Sequence, residues 1–349
     1  MTAGLSDETG GAIYDSNFYE LLKKEHPDVR LFDDNYFKNK YQGGSGLLSF
    51  NKYYKDSLSE LFDCDYLVIN TRLYTRFVFS NIKNQKQLHP NTRIIAIHHH
   101  SNFMNHNGVL RLIHRHFESI ILKESTELVI PNQYVIDHIK RDFNFDNIVH
   151  LPSSFEKTDY PISKLNNKRL LFVGSVEKRK GVIYGIKAFK SIVGKFPDYK
   201  YHIVGKYSKS DRYFKKLVKY VNKNGLDNLV IFEGRVDSER LSWLYEKSDL
   251  FVFPSLLEGY GWVMIEAMGR GLPVVSFDNS AMPYTVKDNI NGVLVKNKDS
   301  NEMAKRICEL LPDRNRMVML QKGALDTYSG VPSKVELNQM TLDYIKSWS

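Results

Sequence analysis

No run of about 18 apolar residues occurs anywhere in the chain, which excludes an obvious membrane-spanning helix. Cysteine is nearly absent. Cys64 and Cys308 lie in opposite halves of the 349 residues without metal-ligand spacing, so a disulfide framework and a cysteine-built zinc site are both excluded. Two ordinary buried thiols in a reducing compartment are expected instead. The opening residues, MTAGLSDETGG, lack the basic start and apolar core of a secretory signal, which makes the cytoplasm the expected location. With 42% hydrophobic and 26% charged residues, what is present is the composition of a globular protein. At roughly 150 residues per domain, the length implies about two domains.

The formal net charge of +9 is unevenly spread. The first 150 residues are close to balance, and the lysine excess falls mostly between Lys157 and Lys223. A phosphate-bearing small ligand, an anionic membrane surface and nucleic acid would each suit such an excess. The sequence contains no known nucleic-acid reader motif, so no nucleic-acid partner is expected. Histidine is skewed the other way: all but one of the 11 histidines precede residue 151.

Short β-branched runs alternate with helical patterns along the whole chain. YLVIN (66–70), RIIAI (93–97), ELVIP (127–131) and NIVHL (147–151) have the character of buried strands, with helix-like stretches at 108–124 and 133–143 between them. A linker-like segment rich in Pro, Ser, Lys and Asn follows, PSSFEKTDYPISKLNNKR. The rhythm then restarts with RLLFV (169–173), YHIV (201–204), LVIF (229–232), LFVF (250–253), PVVS (273–276) and GVLV (292–295). Val182, Ile186, Phe189, Val193 and Phe196 step at helical spacing and predict one buried face. Asp299 with Glu302 predicts a capping box. Two blocks of strand–helix alternation predict an α/β fold of two Rossmann-like, doubly wound domains with parallel sheets. Their ligands are expected in the cleft at the carboxyl ends of the strands.

The densest motif is PSLLEGYGWVMIEAMGRGLPVV, from Pro254 to Val275. LFVFP is a strand stopped by proline, and WVMIEAMGRG is a helix ending near Gly269–Gly271. The intervening SLLEGYG is therefore a strand-to-helix loop. Gly259 and Gly261 let backbone approach a ligand, and the helix start offers unpaired N–H groups that suit an anion. Glu258 in the loop and Glu266 one turn into the helix can border one pocket. Carboxylates accept vicinal hydroxyls well and phosphates poorly, so a ribose and a sugar joined by a diphosphate would use both.

This E-x7-E pattern resembles the signature of the retaining family 4 glycosyltransferases, the glycosyl transferases group 1, which have the GT-B fold. The resemblance implies that Glu258 contacts the donor sugar and Glu266 the ribose. It also implies that the backbone of Gly259, Tyr260, Gly261 and Trp262 meets the sugar and phosphates. It extends to LLFVGSVEKRKGV, where Lys180 fits the family's phosphate-binding lysine; Ser175 stands where a basic residue is usual, and Lys178 or Arg179 is expected to substitute. Gly205, Arg235 and Val236 would line the nucleotide pocket. In the first half, RIIAIHHHSNF implies a histidine beside the reaction centre, His98 first and His99 second. Gly10 and Gly11 resemble the family's first glycine loop on the acceptor side, preceded by an expected short or clipped strand. Zinc held by His98, His100, His106, His114 and His116 is the rival reading, and no closed ligand set at a known spacing supports it. The resemblance implies no metal and no cofactor.

The boundaries expected are 1–155 for the acceptor domain, 156–330 for the donor domain and 331–349 for a helix crossing back to the first. The segment 108–123 is expected to pack into the core, with peripheral contact to an anionic membrane as its alternative. The implied function is transfer of a hexose-type sugar, with retention, from a nucleotide-diphosphate sugar to a hydroxyl of a glycan or lipid-linked acceptor. UDP is favoured and GDP is next. A non-catalytic sugar-nucleotide-binding partner of another transferase and a GT-B-like epimerase are the alternatives.

Overall fold

The structure, a computed structural model, describes residues 10–31, 61–71, 82–106 and 108–348. The chain divides into two compact units, Met1–Glu156 with Pro332–Ser349, and Lys157–Val331. The strand expected before Gly10 lies outside the described residues.

In the first unit, strands β1 (Tyr66–Asn70), β2 (Arg93–Ile97), β3 (Glu127–Ile130) and β4 (Ile148–His150) form a parallel sheet in the order β1-β2-β3-β4. Side chains of successive strand residues point to opposite faces, and both faces here are apolar. Leu67, Ile69, Ile94, Ala96, Leu128 and Ile130 pack with residues of α2 (Ile82–Leu88), α3 (Gly108–Glu124) and α4 (Gln133–Phe143). Val68, Ile95, Ile97 and Val129 pack instead with Tyr14, Phe18 and Leu22 of α1 (Gly10–Glu25), and with Leu337 and Ile345 of the helix Lys334–Lys346. That last helix starts with a complete capping box, in which Ser333 and Glu336 bond each other's backbone N–H groups. Strand β4 is only half buried, because it lies at the edge of the described sheet.

The expected core packing of 108–123 holds only for the second half of α3, where Glu118, Ile121 and Leu122 are buried. Val109, Leu110, Leu112 and Ile113 are exposed. The guanidinium groups of Arg111 and Arg115 lie over the rings of Phe103 and Phe143, and both arginines are exposed, as are the apolar side chains around them. Cys64 is exposed, not buried, and Cys308 is half-buried.

The second unit carries a six-stranded parallel sheet of β5 (Arg169–Val173), β6 (Lys200–Val204), β7 (Val230–Gly234), β8 (Leu250–Phe253), β9 (Val274–Phe277) and β10 (Gly292–Val295). Its order is β10-β9-β8-β5-β6-β7. Helices α5 (Val182–Val193), α6 (Arg212–Lys223), α7 (Ser238–Glu246), α8 (Trp262–Gly269), α9 (Met282–Thr285), α10 (Ser300–Leu310) and α11 (Arg314–Gly330) accompany it. On α5, Val182, Ile186 and Phe189 are buried as their spacing predicts; farther along, Ile192 takes the buried place and Val193 is half exposed. Asp299 caps α10 by accepting from the N–H groups of Asn301 and Glu302 at 3.0 and 2.9 Å. The Glu302 carboxylate accepts from Lys296 N–H at 2.9 Å, so only half of the predicted capping box forms.

The strand order reverses between β5 and β8. In a doubly wound sheet, the loops leaving the carboxyl ends at such a switch point diverge and leave a ligand crevice. Here those loops are Gly174–Gly181 and Pro254–Gly261.

Candidate functional site

The two switch-point loops touch through their backbones. Gly181 has φ +63°, and a Cβ there would stand 1.9 Å from the Pro254 carbonyl oxygen. Only glycine fits. Leu256 N–H donates to the Arg179 carbonyl at 2.8 Å, and Arg179 Nη1 returns a bond to the Leu257 carbonyl at 2.8 Å. Residues some 78 positions apart in sequence are thereby brought to one carboxylate.

That carboxylate belongs to Glu258, which is 8% exposed. Its Oε1 accepts from Ser255 Oγ at 2.6 Å and from Lys180 Nζ at 2.8 Å, with Arg179 Nη1 at 3.4 Å. Its own N–H donates to Ser280 Oγ at 3.0 Å, which fixes the loop at that residue. Lys180 Nζ also stands 5.3 Å from the centroid of the Phe253 ring. Ser175 donates to Glu177, and Glu177 pairs with Arg179 at 3.0 Å. Ser175, Arg179, Lys180 and Glu258 are therefore one hydrogen-bonded group; Lys178 is exposed and makes no ion pair among the described residues.

Gly261 has φ +84° and opens α8 without a side-chain cap, so the first turn presents backbone donors next to this group. Tyr260 and Trp262 flank it, with ring centroids 5.2 Å apart. Gly205 directly follows β6 and donates to the Gly234 carbonyl at 2.8 Å, close against Gly174. Arg235 is exposed and Val236 half-buried just beyond β7.

Glu266 lies on α8. Burial pushes its carboxyl above the ordinary carboxylate value, opposed by a hydrogen bond from Tyr245 and by the charge of Arg270. Sequence reasoning missed Glu177, Ser280, Tyr245 and Arg270. Tyr245 and Ser280 have no sequence signal, because α7 and the loop after β9 reach the site only through the fold, whereas Glu177, two residues before Arg179, and Arg270, one turn beyond Glu266, are local enough to find.

In the first unit, His98 is buried, with Nδ1 2.8 Å from Thr71 Oγ1 and Nε2 3.2 Å from Ser101 Oγ. Burial, with neighbouring His100, lowers its pKa to about 3. A buried, neutral imidazole with both nitrogens occupied must exchange one of these partners to bond anything else. His99 is the more accessible: its Nε2 lies 2.7 Å from Asp15 Oδ1, and Asp15 is fully buried and accepts from Asn70 Nδ2. Accessibility thus favours His99 over His98, which was expected first. Gly10 and Gly11 form the first turn of α1 instead of a free loop, and Gly11 lies against the His99 ring. His106 and His114 stack at 3.9 Å. No group of three or more His, Cys, Asp or Glu among the described residues is arranged to hold a metal ion, and Asp63 and Asp65 stand at the amino end of β1. None of the described helices is long and apolar enough to cross a membrane.

Residues 156–326 match the family described as glycosyl transferases group 1. The chain is 27% identical over 74% of its length to a poly(ribitol-phosphate) alpha-N-acetylglucosaminyltransferase of Staphylococcus aureus and covers 50% of that protein. It spans half or less of the length of the first curated relatives it matches. Among solved structures, a sucrose-phosphate synthase from Thermosynechococcus elongatus superposes with a TM-score of 0.75 at 17% identity, over 97% of this chain and 94% of that one. HepE of Anabaena, in complex with UDP and glucose, gives 0.70 at 18% identity, over 94% and 89%. The two parallel-sheet units thus have the GT-B fold, and residues 156–326 are similar to the glycosyl transferases group 1 family.

Proposed function

We propose that the protein is a retaining glycosyltransferase that moves a hexose-type sugar from a nucleotide-diphosphate sugar to a hydroxyl of a glycan or lipid-linked acceptor in surface-glycan assembly. One observation carries this: Lys180, Arg179, Ser255 and Glu258 converge at the β5/β8 switch point beside the uncapped start of α8. Lysine has three N–H donors, so Lys180 can hold Glu258 and a diphosphate oxygen together. With the backbone donors at Gly261, it stabilises the leaving diphosphate as charge develops. Glu258 orients the sugar, Glu266 takes the ribose hydroxyls, and His99 with its Asp15 partner assists from the first unit.

In the step proposed, the bond from the anomeric carbon to the phosphate oxygen breaks as the acceptor oxygen bonds to that carbon on the same face. The departing phosphate oxygen takes the acceptor's proton. No protein nucleophile, metal or cofactor enters. UDP is the favoured nucleotide, in keeping with HepE, whose structure holds UDP. A cytoplasmic location with peripheral membrane contact is part of this proposal, favoured by the exposed Val109, Leu110, Leu112 and Ile113 on α3. Liposome sedimentation of a Leu110→Ser/Leu112→Ser variant tests that contact.

Acceptor-dependent turnover tests the main reading. An α-linked product from an α-linked donor, read by the anomeric coupling in its NMR spectrum, supports retention. An inverted product, or donor binding with no turnover on any glycan or lipid-linked acceptor, contradicts it.

A further inference from the structure

The carboxylate of Glu266 does not stand alone in the second unit. Tyr245 of α7 is fully buried, and its hydroxyl donates to Glu266 Oε2 at 3.0 Å. Arg270 lies one turn beyond Glu266 and is 7% exposed. Its Nη1 donates to the Glu266 carbonyl at 3.1 Å. Its guanidinium is clamped between two rings, 3.7 Å from the centroid of Tyr160 and 4.5 Å from that of Tyr245. The Nε of Arg270 is buried with no hydrogen-bond partner. Burying a guanidinium in this way is costly, and two aromatic faces and one carbonyl only partly offset the cost. An arginine that merely filled space would be better replaced by an apolar residue of similar volume. What the charge supplies is a positive potential beside a half-buried carboxylate.

We propose that Tyr245 and Arg270 are positioning residues for nucleotide recognition: the Tyr245 hydroxyl pins one oxygen of Glu266, and Arg270 holds the end of the helix and a positive charge beside it, so that the other oxygen can accept from a ribose diol. The proposal rests on the reading of Glu266 as the ribose-binding residue. An ionised carboxylate offers acceptors only, as two hydroxyl donors require, whereas a protonated one would place a hydrogen against them. The hydrogen bond of Tyr245 selects the rotamer. Among the described residues, Tyr245 from α7 and Arg270 at the C-cap of α8 are the ionisable groups that act on Glu266, and both oppose the effect of its burial. Beyond them, Tyr160 faces the Arg270 guanidinium, and Tyr328 lies against Tyr160.

The test is calorimetric binding of UDP and GDP, and of their 2′-deoxy forms, to the full chain and its variants between pH 5 and 8. Donor KM and kcat are measured in parallel. Tyr245→Phe removes one hydroxyl and keeps the ring. It is expected to weaken binding of the preferred nucleotide about tenfold, raise donor KM by a similar factor, leave kcat within twofold, and move the acid limb of binding to higher pH. For the 2′-deoxy nucleotide the wild type binds weakly already, and Tyr245→Phe should cost little more. Arg270→Gln should behave like Tyr245→Phe, and Arg270→Lys, which keeps the charge, should recover most of the loss. An equal loss for ribo- and deoxyribonucleotide with an unmoved acid limb would mean a packing role only and overturns the proposal. If Glu266→Ala weakens binding while Tyr245→Phe does not, the positioning pair is wrong and the ribose reading survives. If Glu266→Ala leaves binding unchanged, both fall.

Discussion

Lys180 Nζ lies 2.8 Å from Glu258 Oε1, and both side chains are largely buried, at 13% and 8% exposure. This ion pair joins the two loops on which the proposed donor site depends. Its energetics follow from burial: removing one partner leaves a desolvated charge, whereas removing both leaves none.

Lys180→Ala is therefore expected to cost about 3 kcal/mol of stability. The double variant Lys180→Ala/Glu258→Ala should cost less than the sum of the single changes. A double-mutant cycle by urea unfolding reads this directly, and strict additivity would mean that the pair is uncoupled.

His98 predicts a pH dependence. Its folded pKa of about 3 lies below the ordinary 6.5, so between these values the unfolded chain binds a proton that the folded chain does not. Stability from this residue is full above pH 6.5 and falls as pH drops toward 3, by about 1.4 kcal/mol per pH unit. Denaturant midpoints between pH 4 and 7 should show a shallower slope in His98→Asn. An unchanged slope contradicts the assignment of a neutral, buried ring.

Much of this architecture is legible in the sequence, and the failures share a cause. The strands from Arg169 to Val295 are mostly apolar runs, each with a Gly or Pro at or next to one end, so they fall within a residue or two of their predicted ends. Glu258 and Glu266 are legible because a loop and the helix after it are local in sequence. Tyr245 is not, because it reaches Glu266 only across packed elements. The order of His98 and His99 depends on which side of the chain each ring leaves after β2. Both residues follow the same apolar run, so periodicity alone does not separate a buried histidine from an accessible one. The exposed start of α3 is missed because its apolar residues imitate a core pattern although nothing among the described residues buries that turn.

The Asp15–His99 pair predicts a kinetic effect without an affinity effect. His99→Ala should lower kcat for transfer about 10²-fold and leave nucleotide affinity within twofold. Asp15→Asn should lower kcat about tenfold, since it keeps a neighbour for Nε2 but removes the charge. Steady-state kinetics paired with nucleotide titration distinguishes this from a general loss of fold, which would lower both.

Gly181→Ala should damage both fold and site. Its left-handed backbone and the Pro254 carbonyl together make a methyl group cost about 2 kcal/mol or more. The contact that brings Lys180 to Glu258 would open with it. A fall in melting temperature with loss of transfer is expected, and a variant of wild-type stability would contradict the backbone contact.

The central claim is that the loops after β5 and β8 hold a nucleotide-diphosphate sugar. The most direct measurement is nucleotide release from a panel of UDP-, GDP- and dTDP-sugars by the purified protein, with and without chelator, beside Glu266→Ala. The account predicts slow, chelator-resistant hydrolysis of one donor, lost in the variant. Silence across the whole panel, together with no donor-induced rise in melting temperature, would contradict it.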